Sequence, residues 1–296
     1  MKKPIAVIGG INADICGRPA GRLILRDSNP GRVSVRPGGV GRNIAHNLRL
    51  LGEEVRLVTA IGDDSYGELL RQSCETLGID LSLSPVLPGE RSSTYLYVTD
   101  EDGDMQLAVS DMEITARLDP AYLAPLLPAL RESAAVVLDA NLPEESIRFL
   151  CEQLPLPIYA DPVSTVKAGR LSGSLSRIFC LKPNALEAAA LTGEREPEKA
   201  LRALLAKGVK RVFLSMGAQG MLAAEGERVL YRPCEQARVL NTTGAGDAAT
   251  AAVVWACVRG LPLEDCLRAA MRAGALTTEC PEANNPALAA LAEEFG

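Results

Sequence analysis

The residues best placed to do chemistry are Asn241-Thr242-Thr243-Gly244-Ala245-Gly246-Asp247. A hydroxyl-rich, extended lead-in meets a Gly-Ala-Gly turn, and an acid follows at once. A run of small helix formers, Ala248-Ala249-Thr250-Ala251-Ala252, then begins and closes near Gly260 and Pro262. A glycine turn that opens a helix presents unpaired N–H groups and the positive end of the helix dipole, which together bind an anion. Asp247 beside such a hole can take a proton from a hydroxyl while the backbone of Gly244, Ala245 and Gly246 holds developing negative charge. Base and anion hole together point to phosphoryl transfer to an alcohol. Taken alone, the same residues are equally a tight strand-to-helix turn whose acid favours the dipole.

Four further motifs carry polar groups at loop-to-helix or strand-end positions. Gly38-Gly39-Val40-Gly41-Arg42-Asn43 opens a helix that ends near Gly52. Its glycines allow close backbone approach to a ligand, and Asn43 offers a donor and an acceptor to vicinal hydroxyls. It is neither a Walker A motif, lacking GK[ST], nor a dinucleotide fingerprint, since it does not follow a strand in the required way. Ile8-Gly9-Gly10-Ile11-Asn12-Ala13-Asp14 sits at the carboxyl end of a first strand, where open α/β sheets bind ligands. Asn12 and Asp14 suit ribose-like hydroxyls. Lys182-Pro183-Asn184-Ala185-Leu186-Glu187 places Asn184 and Glu187 on one helical face. That pair can hold a magnesium hydration shell or phosphate oxygens, or simply cap a helix. Ser215-Met216-Gly217-Ala218-Gln219-Gly220 reads as a strand–turn–strand beside a nucleotide.

The elements that must position these groups follow from hydrophobic rhythm. Strands are expected at 5–9, 55–59, 135–139, 157–160, 178–181, 211–215 and 221–224. Helices are expected at 41–51, 65–77, 120–131, 144–153, 184–192, 196–207, 244–258, 263–279 and 286–294. Such alternation predicts βαβ units and a mainly parallel sheet covered on both faces. Two stretches break the rhythm. Residues 13–37 hold strand-like pieces at Arg22–Leu25 and Arg32–Val35, and residues 91–110 read as a hairpin turning at Asp100–Gly103. The two insertions can pair into a small separate sheet, a natural lid over a cleft.

Composition narrows the function classes. The 296 residues suffice for one large α/β domain, and the formal net charge of −6 offers no basic field for polymeric nucleic acid or an anionic membrane. Aromatics at 4% do not make a base-stacking platform. The first apolar run is too short to span a membrane and ends in glycines rather than a cleavage site, so a cytoplasmic protein is expected. Eight cysteines without metal-ligand spacing are expected as reduced thiols. The single histidine, His46, falls inside a helical pattern and is expected to be packed rather than catalytic.

Taken in order, these motifs resemble the ribokinase-like, or PfkB, family of carbohydrate kinases, across essentially the whole chain. The resemblance implies a three-layer α/β/α sandwich with a small β-sheet lid, a single kinase domain over 1–296, and ATP with Mg²⁺ as cofactors. It implies Asp247 as the base and Gly244, Ala245 and Gly246 as the anion hole. Asn184 and Glu187 become the magnesium and phosphate element. Asn12, Asp14, Gly38, Gly39 and Asn43 become sugar contacts. Ser215, Gly217, Gly220 and Asn284 fall where the family lines its ATP site. The lid implies a homodimer contact. Within the family, Asp27-Ser28-Asn29-Pro30-Gly31, Ser110-Asp111-Met112-Glu113-Ile114 and Asp161-Pro162-Val163-Ser164-Thr165-Val166-Lys167 are most similar to the pseudouridine-phosphorylating branch. Asp27 and Ser28 are then expected at the uracil edge and Lys167 near nucleoside or phosphate. Asn241 replaces the acid many relatives carry there, which argues against a K⁺ site. Val40 replaces the lysine of ribokinases proper, and Asn141 lies where some relatives place a carboxylate near magnesium.

Overall fold

The computed structural model describes residues 2–234 and 238–295. Its strands are short and apolar on both faces, as the interior of a covered parallel sheet requires. In β1 (Ile5–Ile8), Ile5 and Val7 join one core and Ala6 and Ile8 the other. The same alternation runs through β4 (Val55–Val58), β9 (Ala135–Asp139), β10 (Ile158–Asp161), β11 (Cys180–Leu181), β12 (Arg211–Ser215) and β13 (Met221–Glu225). With β14 (Arg228–Arg232) they form one eight-stranded sheet in the order β14-β13-β12-β11-β10-β9-β1-β4. Pairing is parallel from β4 through β12 and antiparallel from β12 to β14.

Helices cover both faces. α1 (Val40–Leu50), α2 (Ser65–Thr76), α9 (Ala245–Val258), α10 (Leu263–Thr278) and α11 (Leu291–Glu294) line the core around Trp255 and Phe213. The opposite core is covered by α3 (Pro120–Leu123), α4 (Leu127–Arg131), α5 (Glu144–Gln153), α6 (Thr165–Ala168), α7 (Ala185–Thr192) and α8 (Pro197–Ala206). From β1 the chain runs outward to β4, then returns to β9 on the other side of β1. The crevice between β1 and β9 is therefore a topological switch point, open at the carboxyl ends of the strands.

A second sheet has the order β3-β2-β7-β8, built from β2 (Asn12–Pro19), β3 (Gly31–Gly38), β7 (Thr94–Thr99) and β8 (Met105–Asp111). The two insertions thus meet through a parallel β2–β7 pairing. β5 (Ile61–Gly62) and β6 (Val86–Leu87) form a small separate pair.

Four local expectations are corrected. Arg22–Leu25 is not a strand: β2 pairs with β3 only as far as Pro19 opposite Gly31, and Asn29 closes the intervening loop by bonding both the N–H and the carbonyl of Ile24. The helix over 120–131 is broken by a 3₁₀ turn at Ala124–Leu126, because Pro125 and Pro128 lack amide protons. The C-terminal helical pattern begins as a 3₁₀ turn, Pro286–Ala290, before α11. The run Arg228–Val229–Leu230–Tyr231–Arg232, not foreseen as a strand, closes the sheet as β14.

Candidate active site

Gly244 is the pivot of the central turn. Its φ of +82° is a conformation open to glycine, and a Cβ there would lie 2.1 Å from the Ala283 carbonyl oxygen. The lead-in is held by Asn241, whose Oδ1 accepts from the Thr243 N–H (3.0 Å) and whose Nδ2 donates to the Pro281 carbonyl (3.2 Å). Helix α9 then starts at Ala245. Its first intrahelical donor is Ala248, bonded to the Gly244 carbonyl (2.9 Å), and Ala245 N–H makes only a long 3.4 Å contact to Thr242. Among the described residues the N–H groups of Gly244, Gly246 and Asp247 have no hydrogen-bond partner, so the expected amides of Gly244, Ala245 and Gly246 are joined by that of Asp247 as those left for a ligand.

Asp247 lies at the mouth of this turn. Its Oδ2 accepts from Asn43 Nδ2 (2.9 Å), and Asn43 Oδ1 in turn accepts from Arg42 Nη1 (3.2 Å). Burial pushes its pKa up to about 8, and the nearby charge of Asp161 adds to the rise; the Asn43 hydrogen bond and Lys182 pull the other way. Asp161, at the end of β10, accepts from Thr250 Oγ1 (2.7 Å) and lies 3.7 Å from Lys182 Nζ. Lys182 also reaches the Gly246 carbonyl (3.2 Å). Val163, held at φ +66° with its N–H on Asp161 Oδ1, is a β-branched residue in the left-handed region. Strain of that kind persists only where surrounding structure enforces it.

The glycine helix start packs against the end of β1. Gly39 has φ +100°, and a Cβ on Gly39 would lie 2.6 Å from the Gly10 carbonyl oxygen. Asp14, its pKa raised by burial, accepts from Asn12 Nδ2 (2.6 Å) and fills the space a Cβ on Gly38 would need. Under these loops Asp139 is fully buried and accepts from the N–H groups of Gly10 (2.8 Å) and Asn141 (2.9 Å). Asn141 Oδ1 accepts from Lys167 Nζ (2.6 Å), and burial lowers the Lys167 pKa.

On the other side, Asn184 and Glu187 form a reciprocal capping box at the start of α7, with bonds of 2.9 and 2.8 Å. Glu187 is almost wholly buried, and burial together with Asp161 raises its pKa. Asp161 adds to the raised pKa of both Glu187 and Asp247, and Lys182 offsets only part of it. Among the described residues no three acidic, histidine or cysteine side chains cluster closely enough to hold a metal ion directly, so a hard cation here would be held largely through water and phosphate oxygens. Ser215 pairs its N–H with the Pro183 carbonyl (2.9 Å), which sets β12's end beside Asn184. Gly217 (φ +58°) is open to space, whereas a Cβ on Gly220 would strike the Arg232 carbonyl oxygen at 2.1 Å.

Residues 2–290 match the pfkB family carbohydrate kinases. The chain belongs to that family. It is 35% identical to a pseudouridine kinase of Escherichia coli K12 over 97% of this chain and 94% of that protein. It is 34% identical to an uncharacterised sugar kinase of the same strain, over 96% and 80%. A solved Arabidopsis thaliana ribokinase, complexed with ribose and ATP, shares the fold with a TM-score of 0.85 at 24% identity over the full length of both chains. This PfkB protein is an ATP-dependent kinase that transfers to an alcohol group, and no helix among its described residues is long and apolar enough to cross a membrane.

Three expected site residues make other contacts in the structure. Asp27 and Ser28 sit in the exposed loop beyond β2, bonded to each other through Ser28 N–H and Asp27 Oδ1 (2.7 Å). The eight residues of β2 carry that loop roughly 25 Å from Asn12. Asn284 is buried against α1, where its amide bonds Arg42 Nη1 (3.0 Å), the Asn43 carbonyl (3.2 Å) and Asn47 Oδ1 (3.0 Å). It supports the glycine helix start instead of facing a nucleotide. His46 packs beside it, and burial near Arg42 lowers its pKa to about 4. Sequence reading gave no role to Asp139, Thr250 or Asp161, although an acid ending a buried strand is a signal for the last and first of these.

Register assigns the small sheet's faces. Asp14, Cys16, Arg36, Tyr95 and Tyr97 share one face, with the tyrosine rings 5.6 Å apart. Arg36 pairs with Glu282, in the loop that rests on Gly244. Ile15, Val33, Val35, Leu96, Leu107 and Val109 share the other face, and all but Ile15 are exposed by 40% or more.

Proposed function

We propose that this kinase transfers the γ-phosphoryl group of ATP to the 5′-hydroxyl of pseudouridine. The observation that carries the chemistry is Asp247, held by Asn43 beside the free amides of α9. Its raised pKa suits a group that must take a hydroxyl proton near neutral pH. In this reading the amides of Gly244, Ala245, Gly246 and Asp247 stabilise the charge on the transferring phosphoryl oxygens. Asn12, Asp14, Gly38, Gly39 and Asn43 position the ribose, and Asn141 with Lys167 border the acceptor side. Asn184 and Glu187 would hold Mg²⁺, which would supply positive charge to offset that of the phosphates. Ser215, Gly217 and Gly220 flank ATP, Gly220 by letting β14 approach.

The pseudouridine assignment is supported by the 35% identity to the E. coli enzyme and by the polar face of the small sheet, which offers both hydrogen-bonding and aromatic groups to a base. The small sheet acts as a lid that excludes water, and its apolar outer face is the contact of a homodimer. Asn241 is neutral and already bonded at both ends, which argues against a K⁺ site beside the turn.

The second reading is a kinase for another nucleoside or furanose sugar, favoured by the nearly equal identity to the uncharacterised sugar kinase. The deciding experiment is ATP-dependent phosphorylation of pseudouridine beside uridine, ribose and fructose, with and without potassium. A pseudouridine kcat/KM at least tenfold above the others is expected. Preference for another acceptor overturns the substrate and keeps the mechanism.

A further inference from the structure

Three thiols converge at the end of the molecule opposite the phosphoryl-transfer turn. Cys180 lies on β11, Cys257 in the last turn of α9 and Cys266 in the first turns of α10. The Cys257 and Cys266 sulfurs are 3.7 Å apart, in van der Waals contact. Arg211 Nη1 donates to Cys257 Sγ at 3.4 Å. That guanidinium is fixed by Glu225, through contacts of 2.8 and 3.1 Å, and lies over the Phe179 ring at 5.6 Å. Cys266 Sγ has one other polar neighbour, the Leu261 carbonyl at 3.4 Å. Cys180 and Cys266 are buried, whereas Cys257 is partly open.

These positions give the thiols different chemistry. Hydrogen bonds from the Cys180 and Cys266 thiols, with Arg211 behind them, hold Cys257 well below an ordinary thiol pKa, while its two neighbours are raised. A thiolate that is stabilised by a guanidinium and reachable from solvent is the form that reacts with oxidants. A second sulfur in contact with it can resolve the product. The pair is ten residues of helix, about 15 Å, from Asp247, so phosphoryl transfer does not use it.

We propose that Cys257 and Cys266 are a peroxide-oxidisable dithiol that closes into a disulfide joining the end of α9 to the start of α10. The Cys257 thiolate attacks one oxygen of hydrogen peroxide. The O–O bond breaks, the sulfur becomes a sulfenic acid, and the other oxygen leaves as water after taking up a proton. Cys266 then loses its proton and attacks Cys257 Sγ. An S–S bond forms, the S–O bond breaks, and a second water leaves. Each peroxide is reduced by two electrons and the two thiols supply them.

The test treats the full chain with a few equivalents of hydrogen peroxide, blocks free thiols with N-ethylmaleimide and maps the unreduced digest by mass spectrometry. The expected product is a Cys257–Cys266 cross-linked peptide pair, 2 mass units lighter than the two free peptides, that dithiothreitol reverses. In Cys266→Ser, Cys257 is expected to stop at the sulfenic acid and to be captured by dimedone. Exposed Cys234 serves as the internal reference. Alkylation of Cys257 after peroxide to the same extent as Cys234 overturns the proposal, as does a cross-link that joins Cys180 or survives Cys257→Ser. The mapping of the unmutated protein decides the question even if a variant folds poorly.

Discussion

At the scale of single residues, Asp247 carries two opposed consequences. As a base it must be ionised, and its raised pKa means that it is only half ionised near pH 8. We expect kcat/KM of the free enzyme to rise with pH through about 8, and a profile flat from pH 6 to 9 would remove Asp247 from the role. Asp247→Asn should lower kcat by about 10²–10⁴-fold, the usual contribution of a general base. Stability runs in reverse. The folded pKa lies above the unfolded value of 3.8, so the unfolded chain binds fewer protons between about pH 4 and 8, and this group's contribution worsens as pH rises across that window. Asp247→Asn should therefore melt at a higher temperature than the unmutated protein at pH 8, with the difference vanishing near pH 4; calorimetry at the two pH values checks it. The proposed role of Asp247 was readable because glycine, acid and helix signals coincide within seven residues. Its tether was not. Asn43 donates to Asp247 across 204 positions of sequence, and no local pattern reports such a bond.

At the scale of elements, the turn and the glycine helix start are braced by one segment. Ala283 abuts Gly244, Pro281 receives the Asn241 amide, and Asn284 bonds α1. Asn284→Ala leaves the buried Arg42 and Asn47 groups without that amide. It should cost about 1–3 kcal/mol in chemical denaturation and raise KM for the acceptor more than it lowers kcat. Gly244→Ala forces a Cβ into the Ala283 carbonyl at positive φ, strain of about 1–3 kcal/mol or more. Its expected signature is a large kcat loss with an unchanged far-ultraviolet circular dichroism spectrum. Strand and helix positions were legible because a sheet buried on both faces writes continuous apolar runs and its covering helices write a 3.6-residue stripe. The errors cluster where local chemistry overrides the stripe. Pro125 and Pro128 break a helix, and Asn29 ties a loop that composition alone makes look extended.

At the scale of the whole molecule, the small sheet has two unlike faces. The apolar one, with Val33, Leu107 and Val109 exposed by 75%, 50% and 59%, is what a second copy would cover. Leu107→Glu with Val109→Glu should convert a dimer to a monomer in sedimentation while leaving the helical signal intact; a monomeric unmutated protein would end the dimer reading. Sequence disclosed both insertions and that they can pair into one small sheet, but not the parallel β2–β7 register, which is set by tertiary contact and not by a turn. The crossings between this sheet and the body carry a last consequence. The backbone passes through Asn12, through Gly38-Gly39, through Ser93, whose carbonyl holds the Ala13 amide, and through Met112, whose methyl borders Gly10. Each crossing lies beside a group assigned here to the acceptor. An acceptor seated there as proposed would work as a rivet through the joint, and any swing of the sheet would then be tied to product escape.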